Sequence, residues 1–211
     1  MAPSSAPRAR AGGPDRDRPG DAGVKEEALA GSEKEKMLSG ALYRASDPEL
    51  VGERRRCRSL LRAFNAEPEE DGRLSLLREL LGGIGRGSSI QPPFACDYGY
   101  NVSVGDDVYV NFNTVILDCA PVTIGDGTQI APGVQLLAAD HPRDPHLRRT
   151  LLELARPISI GSNVWIGAAA IVCPGVSVGD DSIVGAGSVV TRDIPAGVVA
   201  VGNPCRVVRG L

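Results

Sequence analysis

The sequence predicts a mainly β protein, in which a solenoid of hexapeptide repeats follows a small N-terminal helical module. Apolar residues recur every six positions through the second half of the chain, whereas residues 32–88 carry helix caps and apolar residues at helical spacing. Aromatic residues make up only 4% of the 211 residues, beside 26 glycines and 16 prolines. This composition favours a core of small and β-branched side chains between frequent turns.

The helical module begins with two recognisable helix starts. Ser32 and Glu35 have the spacing of a capping box, which predicts a short helix after Ser32. Asp47 followed by Pro48 is typical of an N-cap with proline at the first helical position. We therefore expect two helices in the first half of the range 32–88.

Asp71 is expected to cap a third helix that runs through Leu81 and is closed by Gly82-Gly83. The second helix also carries a cluster of arginines. An arginine run can bind phosphate, but here it is interspersed with apolar residues at helical spacing, and it is predicted to form the solvated outer face of an amphipathic helix. The arginines in question are Arg54, Arg55, Arg56 and Arg58.

The six-residue period defines the second domain, residues 89–211. Each hexapeptide is expected to supply one short strand and one turn, so that three repeats close one triangular coil. The β-branched or leucine side chain points inward, and Gly, Asn or Asp supplies the turn. Twelve such positions predict about four coils. They are Val104, Val110, Ile116, Ile124, Ile130, Leu136, Ile160, Ile166, Val172, Val178, Val184 and Val190.

Two interruptions of the period are candidate functional segments. The spacing from Ile116 to Ile124 is eight rather than six, and a long loop separates Leu136 from Ile160. Stacked repeats stabilise a solenoid, so a long excursion from the stack is typical of a binding or catalytic loop. This loop carries His141, one of the two histidines of the chain.

Composition also excludes several classes of protein. Residues 1–31 are rich in Ala, Gly, Pro and Ser, and we expect a disordered tail there. Lys+Arg total 23 against 26 Asp+Glu, which argues against nucleic acid as a partner, and no apolar run is long enough to span a membrane. Five scattered cysteines form no zinc or disulfide pattern, so we predict no metal, reduced thiols and a cytoplasmic location.

Several motifs outside the period point to a known family. From Glu33 to Leu211 the chain resembles the maltose and galactoside O-acetyltransferases, hexapeptide-repeat enzymes that use acetyl-CoA. The motifs that carry the resemblance are Lys34-Glu35-Lys36-Met37-Leu38, Leu42-Tyr43-Arg44, Cys96-Asp97-Tyr98-Gly99-Tyr100-Asn101, Asn111-Phe112, Leu117-Asp118, Ala131-Pro132-Gly133-Val134, His141-Pro142, Asn163-Val164-Trp165-Ile166-Gly167 and Gly202-Asn203-Pro204.

The resemblance implies a left-handed parallel β-helix, a homotrimer with sites between subunits, and His141 as general base. The chemistry agrees, because a sugar hydroxyl is a poor nucleophile and a neutral imidazole can take its proton as it attacks a thioester. Apolar residues expected on the outer faces, among them Val108, Trp165 and Ile171, are consistent with a trimer.

The resemblance also implies roles for other residues. Asp97, Asn111 and Glu153 match acceptor-pocket positions, although turn-capping or surface roles would explain them as well. The N–H of Ala168 matches a position beside the thioester oxygen. The remaining matches are to cofactor-binding positions, at Trp165, Ala186, Thr191, Arg192, Arg206 and Arg209. Trp165 could instead fill a subunit interface, and the three arginines could be ordinary surface residues.

Rival functions remain open at this stage. A γ-type carbonic anhydrase needs three histidine zinc ligands, and the chain has two histidines in all. A catalytically silent scaffold would not need His141. The acceptor, a sugar such as maltose or glucose, also has a rival in a non-sugar hydroxyl, because Cys119 and Ala45 stand where the galactoside-specific branch carries acids.

Overall fold

The computed structural model describes residues 31–211, which form one compact unit. The expectation of a disordered tail lies almost wholly outside the described residues. Four helices occur in the described part, three before the solenoid and a short one in the long loop. They are α1 (Glu33–Ser39), α2 (Pro48–Ala66), α3 (Glu70–Leu80) and α4 (Pro145–Arg148).

The first two helix starts are as predicted. The Ser32 hydroxyl accepts from the Glu35 N–H at 3.2 Å, and the Glu35 carboxylate accepts from the Ser32 N–H at 2.7 Å, which completes the capping box. The Asp47 carboxylate caps α2 by accepting from the Glu49 N–H at 2.9 Å, with Pro48 at the first position.

The predicted ends of the third helix were wrong. Helix α3 follows Glu69, which has extended backbone and no side-chain cap, and α3 ends at Leu80. Asp71 therefore lies inside the first turn, where its charge favours the positive end of the helix dipole without capping it.

Nineteen strands follow in the described part, most of them two or three residues long. They are β1 (Gly83–Ile84), β2 (Ser89–Ile90), β3 (Phe94–Cys96), β4 (Val102–Val104), β5 (Tyr109–Val110), β6 (Thr114–Leu117), β7 (Val122–Ile124), β8 (Gln129–Ile130), β9 (Gln135–Leu137), β10 (Ala139–Asp140), β11 (Leu154–Ala155), β12 (Ile158–Ile160), β13 (Trp165–Ile166), β14 (Ile171–Val172), β15 (Ser177–Val178), β16 (Ile183–Val184), β17 (Val189–Val190), β18 (Val198–Val201) and β19 (Arg206–Gly210).

These strands build three parallel sheets that form the faces of a solenoid. Face 1 is β1-β4-β7-β12-β15, face 2 is β2-β5-β8-β13-β16-β18, and face 3 is β3-β6-β9-β14-β17. The last strand, β19, adds to face 2 antiparallel to β18. Corner 1 connects face 1 to face 2, corner 2 connects face 2 to face 3, and corner 3 leads from face 3 to the next coil. The prediction of a parallel β-helix of hexapeptide repeats is confirmed.

All twelve period-six residues are buried inside the solenoid. Residues of successive coils stack in register, as Val104 does on Ile124 and Ile124 on Ile160. Val108, predicted on an outer face, is only 1% exposed, because it lies two residues before Val110 and so points to the same side of the chain.

The described chain holds about six coils rather than about four, because face 2 contains six parallel strands. A first coil begins at Gly83, inside the range 32–88 that was assigned to the helical module. Its inward residues are Ile84, Ile90 and Cys96, and Cys96 departs from the β-branched pattern. The final coil replaces the period with the longer strand β18.

Helix α2 packs on the first coil through β3. The Phe64 and Phe94 rings meet edge to face with their centres 6.3 Å apart. The Asn65 side chain both donates to the Phe94 carbonyl at 3.0 Å and accepts from the Phe94 N–H at 2.9 Å. These contacts fix the helices to the first strand of face 3. Among residues 31–211 no helix is long and apolar enough to cross a membrane.

Candidate active site

The long loop leaves the solenoid at corner 3, after β9, and places His141 at the surface. Strands β10 and β11 pair antiparallel at the base of the loop, with Asp140 opposite Leu154. His141 follows directly and is exposed, and its imidazole makes no hydrogen bond to another described residue. His141 follows Asp140 and Glu153 precedes Leu154, so the two residues lie next to each other, one position beyond the last pair of this ladder.

Glu153 is fixed by Tyr43 from the segment between α1 and α2. The two residues form an isolated antiparallel bridge, with both backbone hydrogen bonds at 3.0 Å. The Tyr43 hydroxyl also donates to Glu153 Oε2 at 3.0 Å. Tyr43 is fully buried, and this burial, together with the nearby Cys119 and Glu153, raises the pKa of its phenol. The helical module therefore supplies one wall of the candidate site.

Asp97 and Cys119 continue this arrangement from corner 3. The Cys119 thiol donates to Asp97 Oδ2 at 3.5 Å, and the Tyr43 hydroxyl lies near the same thiol. Burial, followed by the charge of Asp97, raises the pKa of Cys119 to about 12. Asp97, Cys119, Tyr43 and Glu153 thus form a continuous polar chain, which we call the Asp97–Glu153 cluster.

Asp118 supports the cluster through the backbone of Asp97 and Tyr98. Its Oδ1 accepts from the N–H groups of Asp97 and Tyr98, each at 2.9 Å. Its Oδ2 is buried without a partner among the described residues, and burial raises the pKa of the carboxyl. The residue belongs to the two-residue insertion that the spacing had indicated, but its supporting role was not predicted.

Arg54 corrects the prediction that the arginines of α2 all lie on a solvated face. Its Nη1 donates to the Tyr98 hydroxyl at 2.5 Å, and its guanidinium lies 5.6 Å from the centre of that ring. Burial raises the pKa of Asp97, opposed by the hydrogen bond from Cys119 and by the charge of Arg54. Arg54 is therefore part of the surroundings of Asp97, because α2 turns this residue toward corner 3.

Asn111 does not join Asp97 and Glu153 in the same chain, because it lies at corner 2. There it stands in one column with Ala131, Gly167 and Gly185, and its side-chain oxygen accepts from the Phe112 N–H at 2.9 Å. The predicted acceptor residues are thus divided between two corners of the solenoid.

Corner 2 also holds two of the predicted cofactor-binding residues. Ala168 lies one coil before Ala186, and its carbonyl accepts from the Gly187 N–H at 2.8 Å. The Ala168 N–H donates to no other described residue. Trp165 stands nearby on face 2, between Gln129 and Ile183, and is 54% exposed. Corner 2 therefore presents a free backbone donor beside an exposed aromatic ring.

The other predicted cofactor residues lie at different places. Thr191 and Arg192 occupy corner 3 two coils beyond the start of the loop, and Arg192 is exposed. Arg206 and Arg209 are exposed on β19, where Arg206 donates to the Cys205 carbonyl at 2.8 Å. Among residues 31–211 no cluster of three His, Cys, Asp or Glu side chains is arranged to hold a metal ion.

Comparison with known proteins identifies the family. Residues 36–85 match the maltose acetyltransferase hexapeptide capping motif, and residues 157–192 match the hexapeptide repeat of succinyl-transferase. The chain is 52% identical over 179 residues to nodulation protein L of Rhizobium meliloti (strain 1021), covering 83% of this chain and 97% of that one. It is 42% identical over 177 residues to galactoside O-acetyltransferase of Escherichia coli (strain K12), covering 83% and 87% of the two chains.

The chain belongs to the maltose and galactoside O-acetyltransferase family. Solved structures agree. A maltose O-acetyltransferase from Clostridium difficile 630 superposes with a TM-score of 0.85 at 46% identity, covering 87% of this chain and 99% of that one. A galactoside acetyltransferase in complex with coenzyme A gives 0.82 at 41% identity, covering 85% and 91%.

Membership in this O-acetyltransferase family confirms the resemblance inferred from the motifs and the predicted activity. The chain is an acetyltransferase, and acetyl-CoA is the acetyl donor of its family. The sequence analysis named His141, Asp97 and Glu153, which the structure places at corner 3, but it assigned no role in the candidate site to Tyr43, Asp118 or Arg54. The motifs that carried the resemblance contained Tyr43 and, in Leu117-Asp118, also Asp118, yet no spacing rule links either residue to Asp97.

Proposed function

We propose that this acetyltransferase moves the acetyl group of acetyl-CoA directly to a hydroxyl of a sugar such as maltose or glucose, with His141 as general base. The observation that carries the proposal is the placement of His141. Its unpaired imidazole stands at the surface, beside Glu153 of the Asp97–Glu153 cluster and at the base of the one loop of residues 31–211 that leaves the solenoid.

In this mechanism an imidazole nitrogen of His141 takes the hydroxyl proton as the hydroxyl oxygen attacks the thioester carbonyl. Collapse of the tetrahedral intermediate expels the CoA thiolate, which takes the proton back from the imidazolium. The Ala168 N–H donates to the thioester oxygen as negative charge develops there. The free state of that N–H supports this assignment.

The acceptor is assigned to Asp97, Glu153 and Asn111. Carboxylate and amide oxygens at these positions suit a polyhydroxylated ligand, since each accepts hydrogen bonds from hydroxyl groups. The CoA chain is assigned to Trp165, Ala168, Ala186, Thr191, Arg192, Arg206 and Arg209, whose arginines are suited to its phosphates.

A covalent acetyl-cysteine intermediate is disfavoured at the cluster. Cys119 is 5% exposed, and the rise of its pKa to about 12 keeps it as the thiol, which is the less nucleophilic form. We therefore assign direct transfer between the two substrates.

We propose a homotrimer because the residues of the candidate site are divided between two corners. His141 and the Asp97–Glu153 cluster lie at corner 3, whereas Asn111, Ala168 and Ala186 lie at corner 2 of the same chain. A cyclic trimer that places corner 3 of one subunit against corner 2 of the next would complete three equivalent sites. The side chains of Trp165 on face 2 and Phe112 at corner 2 are 54% and 46% exposed, which supports a contact between subunits at this corner.

We also propose a cytoplasmic location. None of the five cysteines, all of which lie within residues 31–211, forms a disulfide, and this includes Cys57 and Cys96, whose sulfur atoms are 3.6 Å apart. Such thiols persist in a reducing compartment, where disulfides are rare.

The test is an acceptor screen that follows thiol release, combined with two matched histidine variants. His141→Ala should lower kcat by about 10²–10⁴, the effect expected for loss of a general base, and should leave the Kd for CoA unchanged. His146→Ala is the control, because His146 is exposed in the same loop and has no assigned role. It should stay within about twofold of the parent, as surface substitutions usually do.

The pH profile of the parent enzyme should rise through a single ionisation, because only neutral imidazole accepts the proton. Full activity of His141→Ala would refute the assignment of the base. Thiol release with a non-sugar alcohol but with no sugar would refute the assignment of the acceptor.

A further inference from the structure

Asp140, the residue before the proposed base, has the most highly coordinated carboxylate in the described part of the loop. Its side chain is 12% exposed, and three donors reach it. Oδ1 accepts from the N–H of His141 itself at 2.8 Å. Oδ2 accepts from Arg156 Nη2 at 2.7 Å and from Arg143 Nη2 at 3.2 Å. These donors come from the start of the loop, at His141 and Arg143, and from its far end, at Arg156.

Arg156 is the stronger of the two cationic partners, because the fold holds it in place. Its N–H donates to the Ala138 carbonyl at 2.9 Å, which closes the base of the loop. Its side chain lies against Gly175, where an added Cβ would come within 3.4 Å of Arg156 Cβ and Cδ. Its Nε is buried with no partner among the described residues, and its Nη2 pairs with the Asp140 carboxylate from a side chain that is 39% exposed.

Arg143 contributes less. It follows Asp140 by three residues in the sequence, and its side chain is 62% exposed. Exposed ion pairs of this kind add little to stability. The pair that spans the loop, Asp140 with Arg156, is therefore the one that sets the loop geometry.

We propose that Asp140 is a positioning residue for the acetyl-transfer reaction, and that it acts through His141. It ties the backbone of His141 to Arg156 at the far end of the loop and so fixes where the imidazole stands relative to the acceptor. The inference rests on the proposed function of His141 as base. A displacement of about 1 Å in a catalytic group can lower a rate roughly 100-fold. Loss of the link from His141 through Asp140 to Arg156 should therefore affect kcat in particular.

Asp140→Asn keeps an oxygen that can accept from the His141 N–H, but it removes the charge that pairs with Arg156. We expect kcat to fall about 10-fold to 100-fold, with the Kd for CoA unchanged. Arg156→Gln should give a similar loss, and Arg143→Ala a smaller one. Asp144→Asn is the matched control. Asp144 caps α4 in the same loop through the His146 N–H at 2.8 Å, and asparagine caps helices equally well.

A double-variant cycle separates positioning from a general loss of structure. In the His141→Ala background, Asp140→Asn should change the residual rate by less than about twofold, because its partner in catalysis is already absent. Equal losses in both backgrounds would show that Asp140 acts apart from His141 and would overturn the inference. Wild-type activity of Asp140→Asn would do the same.

The outcomes also distinguish this inference from the proposed function. If His141→Ala is inactive and Asp140→Asn is fully active, the assignment of His141 as base is supported and the positioning role of Asp140 is refuted. If His141→Ala is fully active, both the assignment of His141 as base and the positioning role of Asp140 are refuted. The mass of the native assembly and the Kd for CoA, measured for each variant, exclude misfolding as the cause of a lower kcat.

Discussion

Corner 2 and corner 3 are built from the same repeat, yet they differ completely in chemistry. The turns of corner 2 over its middle four coils contain no ionisable side chain: they are Asn111–Asn113, Ala131–Gly133, Gly167–Ala169 and Gly185–Gly187. Corner 3 carries the Asp97–Glu153 cluster, Asp118, and the loop with Asp140 and His141. One corner offers backbone donors and small side chains, and the other offers acids and a base.

The difference shows how a solenoid can gather ionisable residues at one corner. The two-residue insertion at Asp118–Pro121 and the long loop both emerge at corner 3, but the inner stack continues unbroken across them. Val122 still pairs with Val102, and Ile158 pairs with Val122. Corner 3 can therefore accept ionisable residues without disturbing the core, whereas corner 2 keeps the close stacking that aligns its backbone.

The largest expected effect comes from combining variants of the two corners. His141→Ala and Ala168→Trp should each abolish most activity, the first by removing the base and the second by covering the Ala168 N–H. If each site joins corner 3 of one subunit to corner 2 of its neighbour, co-expression should restore intact sites. In trimers selected to contain both kinds of chain, one site in three is intact, so about one third of parental activity is expected.

Ala196→Trp is the control for bulk, because Ala196 is exposed in the middle of a corner 1 turn and has no assigned role. It should remain active alone. Absence of recovery in co-expressed His141→Ala and Ala168→Trp chains, purified as mixed oligomers by two affinity tags, would show that both corners of one site belong to the same subunit.

Cys119 tests the polar chain of corner 3. Cys119→Ser keeps a donor for Asp97 and should retain activity, with no labelled protein after mixing with radiolabelled acetyl-CoA alone. Cys119→Ala removes the donor and should lower the free energy of unfolding by about 1–3 kcal/mol, the cost of an unsatisfied buried polar group. Chemical denaturation measures the difference. A serine variant as unstable as the alanine variant would mean that packing of the sulfur, rather than its hydrogen bonds, holds the cluster.

The raised pKa of Cys119 also predicts a dependence on pH. The folded protein keeps the thiol proton up to about pH 12, whereas an unfolded chain loses it near the ordinary value of about 8.5. Between these values the folded state binds more protons, so the free energy of unfolding should fall as pH rises. The fall should be smaller in Cys119→Ala. Parallel pH curves for the two proteins would contradict this account.

A smaller effect is expected at corner 2, where Ala169 adopts a left-handed backbone with φ of 56°. The equivalent residues in neighbouring coils are Gly133 and Gly187, with φ of 72° and 67°. Ala169→Gly removes the steric cost and should stabilise the protein by about 0.5–1 kcal/mol. A higher melting temperature with unchanged kcat would support this. A lower one would show that the alanine methyl group makes a contact that outweighs the backbone cost.

The smallest effect is expected from removing residues 1–31, which lie outside the family resemblance. The match to the capping motif begins at residue 36. Deletion of Met1 to Gly31 should leave the melting temperature and the acetyl-transfer rate essentially unchanged. A clear loss of either would mean that the site extends beyond the two corners.

The comparison also explains how much could be predicted from the sequence. The inner stack was predictable, because a side chain buried once per repeat leaves a strict period, and all twelve positions are buried. The first coil escaped notice because Cys96 departs from the β-branched pattern. The edges of the helical module were less certain, as the start of α3 at Glu70 rather than after Asp71 illustrates.

The site was predictable only where a motif named it. His141 and Asp97 followed from the resemblance, but the contact between Tyr43 and Glu153 joins residues 110 positions apart. No local pattern encodes such a contact, since it depends on how the helices pack on the coils. For the same reason Arg54 was assigned to solvent: helical periodicity gives the faces of α2 but not which of them meets corner 3.

The closed ends of the solenoid have a further consequence. A stack of parallel strands exposes unpaired backbone groups at its first and last coils, and a second molecule could extend such a stack end to end. Here α2 covers β3 at one end, and the chain turns back through β19, antiparallel to β18, at the other. An antiparallel strand offers an arriving parallel coil the wrong hydrogen-bond pattern. The fold thereby sets its own length at about six coils and discourages growth into fibres.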